Sequence, residues 1–273
     1  MELKGKNASA LFFKGGALTV NNLCIAAHQD DVEIMAYGQI AECYEHGGFA
    51  AVVLTDGAGS LRCGRYAGVS DEEMKKIRFF EQCRAAEIGN YDMLFQLAYS
   101  SDDIKKGVKD VEDDISSIIL ATLPEKIFIH NFADKHDTHV ASALRTLGAL
   151  RGISDIFRPG KVYMMEVWRG LDWLNDNAKT MFDTAPYPEL AERILNVYDS
   201  QIAGGKEYTR AAVGRRFANA TFFESHSVDS FRSASIGVEI TEFVYSDSTP
   251  CELVDGLIES FRTDALKRLS RVK

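Results

Sequence analysis

The four residues His28-Gln29-Asp30-Asp31 follow directly on the apolar run from Leu23 to Ala27. An imidazole and two adjacent carboxylates at the end of a buried strand carry a large desolvation penalty unless something offsets their charge. A metal ion is one such partner, because it neutralises carboxylates and binds neutral imidazole nitrogen. His28 and Asp31 are three residues apart at a strand-to-helix junction, so their side chains can lie on one side of the first helical turn. The tetrad therefore predicts part of a metal site.

A second loop, His136-Asp137-Thr138-His139, repeats the spacing of three. Two histidines and one carboxylate are a common ligand set for hydrolytic zinc, and they leave one coordination position for water. We therefore predict that His28, Asp31 and His139 bind Zn²⁺, although Fe²⁺ or Mn²⁺ accepts the same donors. The alternative is structural, because a histidine that ends a strand and aspartates that cap a helix are common without a metal. His130 fits support of the metal site and a simple strand-end position equally well.

Apolar runs that alternate with helical periodicity predict an α/β protein whose mostly parallel sheet has helices on both faces. In such sheets ligands bind outside the carboxyl ends of the strands, where both histidine loops and the turn at Asp56 fall. The predicted strands are Leu23–Ala27, Phe49–Thr55, Met93–Ala98, Lys126–Ile129 and Lys161–Val167, and the predicted helices are Glu33–His46, Asp71–Ile88, Val108–Leu123 and Asp137–Arg151.

The last hundred residues show weaker patterns. Helices are predicted at Tyr187–Ile202 and Arg210–Ala220, and a strand at Ile236–Val244. No change of composition marks a boundary there, so we predict one domain over residues 1–273. In this interpretation residues 20–151 are the catalytic core, and residues 152–273 are a C-terminal extension that walls the cleft.

Composition excludes several classes of function. The chain has 273 residues and a formal net charge of −9, and this charge argues against a nucleic-acid surface. No window approaches the 18 apolar residues that a membrane span needs, so we expect no membrane partner. Five scattered cysteines without a C-x-x-C pair indicate reduced thiols. The apolar patch from Ala10 to Phe13 is too short for a signal peptide, and we expect a cytoplasmic protein.

Four motifs in order resemble those of the LmbE-like (PIG-L) N-deacetylases. Ala27 to Glu33, A-H-Q-D-D-V-E, is similar to the A-H-P-D-D-x-E signature of that family, and Leu54 to Gly57 is similar to its T-D-G turn. Arg78-x-x-Glu81, with the following Ala-Ala and Ile-Gly pairs, resembles the R-x-x-E helix, and His136 to His139 takes the place of H-P-D-H. The resemblance covers residues 23–151 well and the remainder loosely.

This resemblance implies a Rossmann-like fold and a zinc-dependent hydrolase that removes an acetyl group from an N-acetylglucosamine unit. By position in the motifs, His28, Asp31 and His139 bind zinc and Asp30 is the general base. His136, in its protonated form, stabilises the oxyanion, and Arg78 reaches substrate hydroxyl or carboxylate groups. The expected partner is a small N-acetylated amino sugar or glycoconjugate, and relatives of this kind suggest a homo-oligomer.

Two positions depart from the family pattern. Gln29 replaces proline and thereby loses a fixed φ. Thr138 replaces the aspartate before the ligand histidine, so Asp137 or Asp134 must take over any orienting role. These departures leave open a non-catalytic sugar-binding protein on the same fold. A third possibility keeps catalysis but acts on another amide, such as that of a thiol conjugate. Aromatic residues that could stack on a sugar, Trp168, Trp173 and Tyr163, are more typical of a core.

Overall fold

One mixed sheet runs through the protein, in a computed structural model that describes residues 2–15 and 18–272. Its strands are β1 (Ser9–Phe12), β2 (Asn22–Ala26), β3 (Phe49–Thr55), β4 (Met93–Tyr99), β5 (Lys126–His130), β6 (Lys161–Met165), β7 (Thr180–Asp183) and β8 (Ala234–Glu239). They lie in the order β1-β4-β3-β2-β5-β6-β8-β7. The block from β4 to β6 is parallel, whereas β1 and β8 run antiparallel to their neighbours. The predicted α/β class is confirmed.

Helices cover the sheet on both sides. They are α1 (Asp31–Met35), α2 (Tyr37–Cys43), α3 (Asp71–Ile88), α4 (Ser101–Lys106), α5 (Lys109–Thr122), α6 (Asp137–Gly152), α7 (Pro188–Leu195), α8 (Asp199–Ile202), α9 (Tyr208–Thr221), α10 (Thr241–Val244) and α11 (Pro250–Arg271). Within the described ranges 2–15 and 18–272, no helix combines the length and apolar character that crossing a membrane requires.

Side-chain alternation along the central strands produces two cores. On β2, Leu23 and Ile25 pack on one face with the apolar stripes of α5 and α6. Cys24 and Ala26 point to the other face, where α1, α2 and α7 pack. Since both faces are covered, the parallel strands are apolar throughout, and every residue of β2 and β3 is buried.

The chain leaves β2 towards β3 on one side and reaches β5 on the other. This reversal of direction is the switch point of a doubly wound sheet, and it opens a crevice at the carboxyl ends of β2 and β5. His28 to Asp31 follow β2, and His130 ends β5 ahead of the second histidine loop. The fold therefore brings the two motifs to one edge.

The predicted helix at Glu33–His46 is wrong in one respect, because it breaks at Ala36 into α1 and α2. The buried Arg216 donates Nη2 hydrogen bonds to the carbonyls of Glu33 (2.6 Å) and Ile34 (3.3 Å). A continuous helix would need these carbonyls for its own hydrogen bonds. A residue more than 180 positions away therefore hydrogen-bonds the carbonyls at the break.

The C-terminal predictions need larger corrections. The helix predicted at Tyr187–Ile202 is divided into α7 and α8. The strand predicted at Ile236–Val244 ends at Glu239, and α10 begins two residues later, at Thr241. Four elements have no counterpart in the predictions: β1, α4, β7 and α11. The last of these begins with a capping box between Thr249 and Glu252 and a proline in its first turn, a start signal that the sequence does contain.

Candidate active site

Three donor atoms form a nearly equilateral triangle at the carboxyl edge of the sheet. His28 Nδ1 lies 3.1 Å from Asp31 Oδ2 and 3.2 Å from His139 Nε2, and the last two atoms are 3.2 Å apart. Ligand atoms around a tetrahedral zinc ion at ~2.0–2.1 Å are separated by about 3.3 Å. The three residues predicted as ligands are therefore brought together at the spacing that one metal ion requires.

The charges around His139 also suit a cation. Burial lowers the pKa of this histidine, but Asp31 on one side and Asp134 on the other outweigh that effect and raise it to about 10. The pair of carboxylates thus favours a positive charge at this point, which a divalent ion can supply in place of a proton. The donor set and its electrostatics fit a metal.

His130 is the residue that the sequence left open between two roles. It forms a buried group of potential ligands with Asp31 and His139, and a second group joins His28, His136 and His139. The His130 ring stacks on that of His139 at 4.0 Å, and its Nε2 accepts a hydrogen bond from the Ala27 N–H at 2.9 Å. Because this lone pair already has a donor, His130 supports the ring of His139 rather than completing the triangle above.

Asp30 lies beside the triangle in an unusual backbone conformation. Its φ of +93° is in the left-handed region, where non-glycine residues are strained. The carboxylate is buried and lies 2.8 Å from Arg78 Nη2. Burial raises the pKa of Asp30 to about 7, against the opposing effect of Arg78. The two aspartates of the tetrad therefore face different partners, one the histidines and the other the arginine.

Arg78 is almost completely buried, at 1% exposure, and both of its Nη groups have acceptors within the protein, whereas its Nε has none among the described residues. It donates to the Gln29 carbonyl, to Asp30, and to Glu81 at 2.9 Å. Ser200 donates its N–H and hydroxyl to the same Glu81, each at 2.7 Å. Arg78 borders the cavity, but its hydrogen bonds are made with Asp30 and neighbouring groups of the protein. This geometry favours a role in positioning Asp30 over direct contact with substrate.

His136 occupies the N-cap position of α6, and its ring packs beside the rings of His28 and His139. Its ring centroid lies 4.9 Å from that of His28 and 4.6 Å from that of His139. Burial, assisted by His139 and His28, lowers its pKa. The neutral form is therefore favoured, in contrast to the protonated form that the family resemblance implies. A neutral imidazole still carries one N–H that can donate to an oxyanion.

Asp134 occupies the place behind His139 that Thr138 cannot fill. Its Oδ1 accepts from the His136 N–H at 3.0 Å and lies 3.6 Å from His139 Nδ1. Its Oδ2 accepts from the backbone N–H of Trp168 at 3.1 Å. Asp137, the other candidate for this role, is exposed on the first turn of α6. Of the two, only Asp134 is placed to orient the histidine.

Gln29 compensates for the missing proline through its side chain. Its Nε2 donates to the carbonyl of Thr55 at 2.9 Å, and this ties the loop after β2 to the end of β3. The turn that follows passes very close, because a Cβ on Gly57 would stand 2.7 Å from Arg78 Cβ and 2.9 Å from Gln29 Oε1. Both this crowding and the φ of +74° require glycine at position 57.

A cavity of about 320 Å³ contains the site. Residues of the N-terminal part of the chain line this cavity, namely His28, Asp30, Asp31, His136 and the turn after β3. The last third of the chain adds Trp168, Gln201, Lys206 and Tyr208. Trp168 is thus a site residue that sequence reasoning set aside. The other two aromatics are elsewhere, since Trp173 packs against Phe261 and Tyr163 stacks on Phe128 in the core.

The fold and the site together define a Rossmann-like α/β protein with a histidine–carboxylate centre at its switch point. Residues 23–150 match the model of the PIG-L family, described as GlcNAc-PI de-N-acetylase. The resemblance of the motifs to this family is thereby confirmed over residues 23–150. No curated protein matches the sequence.

Solved structures of the same fold extend the likeness beyond residue 150. The N,N′-diacetylchitobiose deacetylase of Pyrococcus horikoshii superposes with a TM-score of 0.66 at 16% identity, over 85% of this chain and 88% of that one. A deacetylase of teicoplanin biosynthesis gives 0.58 at 16% identity, over 81% and 97%. The 4-carboxy-2-hydroxymuconate hydratase GalB of Pseudomonas putida gives 0.60 at 18% identity, over 81% and 96%. At these identities the likeness establishes the fold.

Proposed function

We propose that the protein is a metal-dependent N-deacetylase that releases acetate from a small N-acetylated amino sugar or glycoconjugate. The observation that carries the proposal is the triangle of His28, Asp31 and His139 with Asp30 beside it. Support comes from the PIG-L match over residues 23–150 and from deacetylases among the structures of the same fold. Zinc is the proposed metal, and Fe²⁺ is compatible with the same donors.

A metal held by His28, Asp31 and His139 would supply Lewis-acid polarisation of the amide carbonyl and of the attacking water. The other roles belong to the side chains of the protein. Asp30 accepts a proton from the water as its oxygen attacks the carbonyl carbon, and it returns that proton to the nitrogen as the C–N bond breaks. His136 donates to the oxygen that becomes negative, an interaction worth roughly 3 kcal/mol in comparable sites.

Arg78 controls the position of the base in this scheme. Because it bonds both the Asp30 carboxylate and the Gln29 carbonyl, it holds the side chain and the backbone of the tetrad together. Asp134 holds His139, and the extension closes the cavity around the substrate. A cytoplasmic location and a homo-oligomeric state remain predictions from the sequence.

The proposal is tested by substituting the base. Asp30→Asn should retain zinc but lose roughly 10²–10⁴-fold in the rate of amine release, the usual contribution of a general base. Metal content is measured on the purified protein, and amine release on a panel of N-acetyl amino sugars. Asp137→Asn, an exposed change in the second histidine loop, is the matched control and should keep both properties.

Three results separate the alternatives. Full turnover in Asp30→Asn with normal zinc content would remove Asp30 from its role. Bound zinc without amine release from any N-acyl sugar, but with sugar binding, would favour the non-catalytic sugar-binding protein. Release from thiol-conjugate amides alone would favour the amidase. The hydratase GalB on the same fold makes this panel necessary, because the fold by itself does not select a reaction.

A further inference from the structure

The wall that the C-terminal extension adds to the cavity carries its own charge. Tyr208 is the first residue of α9, Lys206 lies in the segment before it, and Trp168 comes from the loop after β6. The Lys206 ammonium lies over the Trp168 ring, 4.7 Å from its centroid, and Tyr208 meets the same ring edge-on at 6.2 Å. We call these three residues the cationic wall.

Lys206 differs from most lysines of the protein in having no carboxylate partner. Lys75, Lys161 and other lysines form ion pairs, whereas no carboxylate lies within 4.0 Å of Lys206 among the described residues. Its side chain is half-buried and borders the same cavity as Asp30 and His28. A partly desolvated ammonium at a cavity wall lacks a counter-ion, and a negatively charged group of a ligand would provide one.

The segments that carry the cationic wall contact neighbouring parts of the protein. Tyr66 donates its hydroxyl to Asp199 at 2.6 Å, and Arg65 pairs with the same carboxylate. The backbones approach closely here, since a Cβ on Gly64 would stand 2.9 Å from the Ala203 carbonyl oxygen. Separately, the backbone N–H of Trp168 donates to Asp134 Oδ2 at 3.1 Å. The segment before Lys206 is therefore tied to the loop after β3, and the backbone of Trp168 is tied to the loop that contains Asp134.

The charge of the cavity favours an anion once a metal is present. Its lining contains two carboxylates, Asp30 and Asp31, and two permanent cations, Arg78 and Lys206, so these four cancel. Asp30 and Arg78 already neutralise each other at 2.8 Å. A divalent metal would leave the lining positive, although the whole chain carries a formal charge of −9. The cavity would thus attract anions that the rest of the surface repels.

We propose that Lys206 binds a negatively charged group, a carboxylate or a phosphate, on the part of the substrate that is not deacetylated, while Trp168 and Tyr208 pack on the sugar ring. The inference rests on the proposed deacetylase function for the identity of the sugar. It makes the substrate an anionic amino-sugar conjugate rather than a neutral oligosaccharide. Lysine suits this role because its ammonium is a compact charge with three donors.

Binding of product-like amines tests the proposal without requiring turnover. Glucosamine, glucosamine 6-phosphate and muramic acid, which carries a carboxylate, are titrated calorimetrically into zinc-loaded and metal-free protein. At least one anionic sugar should bind about tenfold more tightly than glucosamine, as expected for one partly buried charge-assisted contact. The phosphate and carboxylate arms show which anion the wall prefers.

Substitutions then locate the preference. Lys206→Met keeps an apolar stem on the Trp168 ring and should abolish the preference for the anionic sugar, whereas Lys206→Arg should retain most of it. Lys267→Met removes an exposed lysine of α11 and is the matched control. Equal binding of neutral and anionic sugars by the native protein would overturn the proposal. A preference that survives Lys206→Met in both metal states would overturn it as well.

The outcome is distinguishable from failure of the proposed function. A preference that depends on Lys206 in a protein that releases no amine would reject the deacetylase and keep the anion site. Amine release from N-acetyl sugars, with no difference between neutral and anionic substrates in their response to Lys206→Met, would do the reverse. Where turnover is measurable, Lys206→Met should raise KM more for an anionic substrate than for its neutral analogue.

Discussion

Asp134→Asn is the most informative single substitution, because the structure assigns each oxygen of this carboxylate a separate task. Oδ1 accepts from the His136 N–H at 3.0 Å and faces His139 Nδ1 at 3.6 Å, while Oδ2 accepts from the N–H groups of Trp168 (3.1 Å) and Arg169 (3.4 Å). An asparagine has the same shape but only one acceptor oxygen. In either orientation its NH₂ group must face N–H donors, and the negative charge is lost.

The expected effect follows from the position of Asp134 behind His139, a proposed metal ligand. Loss of a carboxylate that orients a ligating histidine typically weakens metal binding 10–100-fold, which corresponds to about 1.4–2.7 kcal/mol. The dissociation constant for zinc is measured by competition with a chromophoric chelator. The thermal stability of the metal-free protein is followed in parallel, so that a general loss of structure is not mistaken for a loss of affinity.

Asp137→Asn provides the control, since this exposed residue lies three positions away on the same loop. It should leave zinc affinity within about twofold, because an exposed charge at a helix start has a small effect. Unchanged affinity in Asp134→Asn would refute the assignment. Equal weakening in both variants would show that the charge of the loop matters and that the contact with His139 does not.

Two further substitutions probe the support of Asp30. Arg78→Lys should lower kcat by at least tenfold with zinc content unchanged, because a single ammonium cannot replace the planar guanidinium that holds Asp30. Steady-state kinetics test this. The control is Arg84→Lys, because Arg84 forms an exposed ion pair on the same helix. Gly57→Ala should lower the free energy of unfolding by roughly 1–2 kcal/mol or more, because φ is +74° and the methyl would meet Arg78. Gly59→Ala has open space and should lie within about 0.5 kcal/mol in denaturant unfolding; equal losses in both glycine variants would contradict the packing argument.

The parallel core could be predicted from the sequence because its signals are local. Strand β3 has the predicted bounds Phe49–Thr55, and α3 begins after Ser70 with the capping box that favours a helix start. The break at Ala36 could not be predicted, since Arg216, which hydrogen-bonds the carbonyls there, comes from a distant helix. Edge strands β1 and β7 are four residues long, too short for periodicity to show.

The site divides in the same way. Spacing and motif order predict His28, Asp31 and His139 as ligands, because each follows a strand whose end is readable, and the fold brings their donor atoms within 3.2 Å of one another. Asp134 was one of two candidates, and only the fold shows that it lies behind His139. Lys206 carries no motif, and its place in the cavity depends on the packing of the extension against the loop after β3. Tertiary contacts of this kind leave no periodic trace in the sequence.

The strands contributed by the last third of the chain change what counts as the catalytic unit. β6 pairs with β5 along Lys126–His130, and β8 and β7 continue the same sheet. A chain cut at residue 151 would leave β5 as a bare edge, open to pairing with other chains. It would also lose the cationic wall. The similarity to the PIG-L family model stops at residue 150, whereas the sheet continues through β6, β8 and β7 and the proposed cationic wall lies beyond that residue, so the family match ends inside one structural unit.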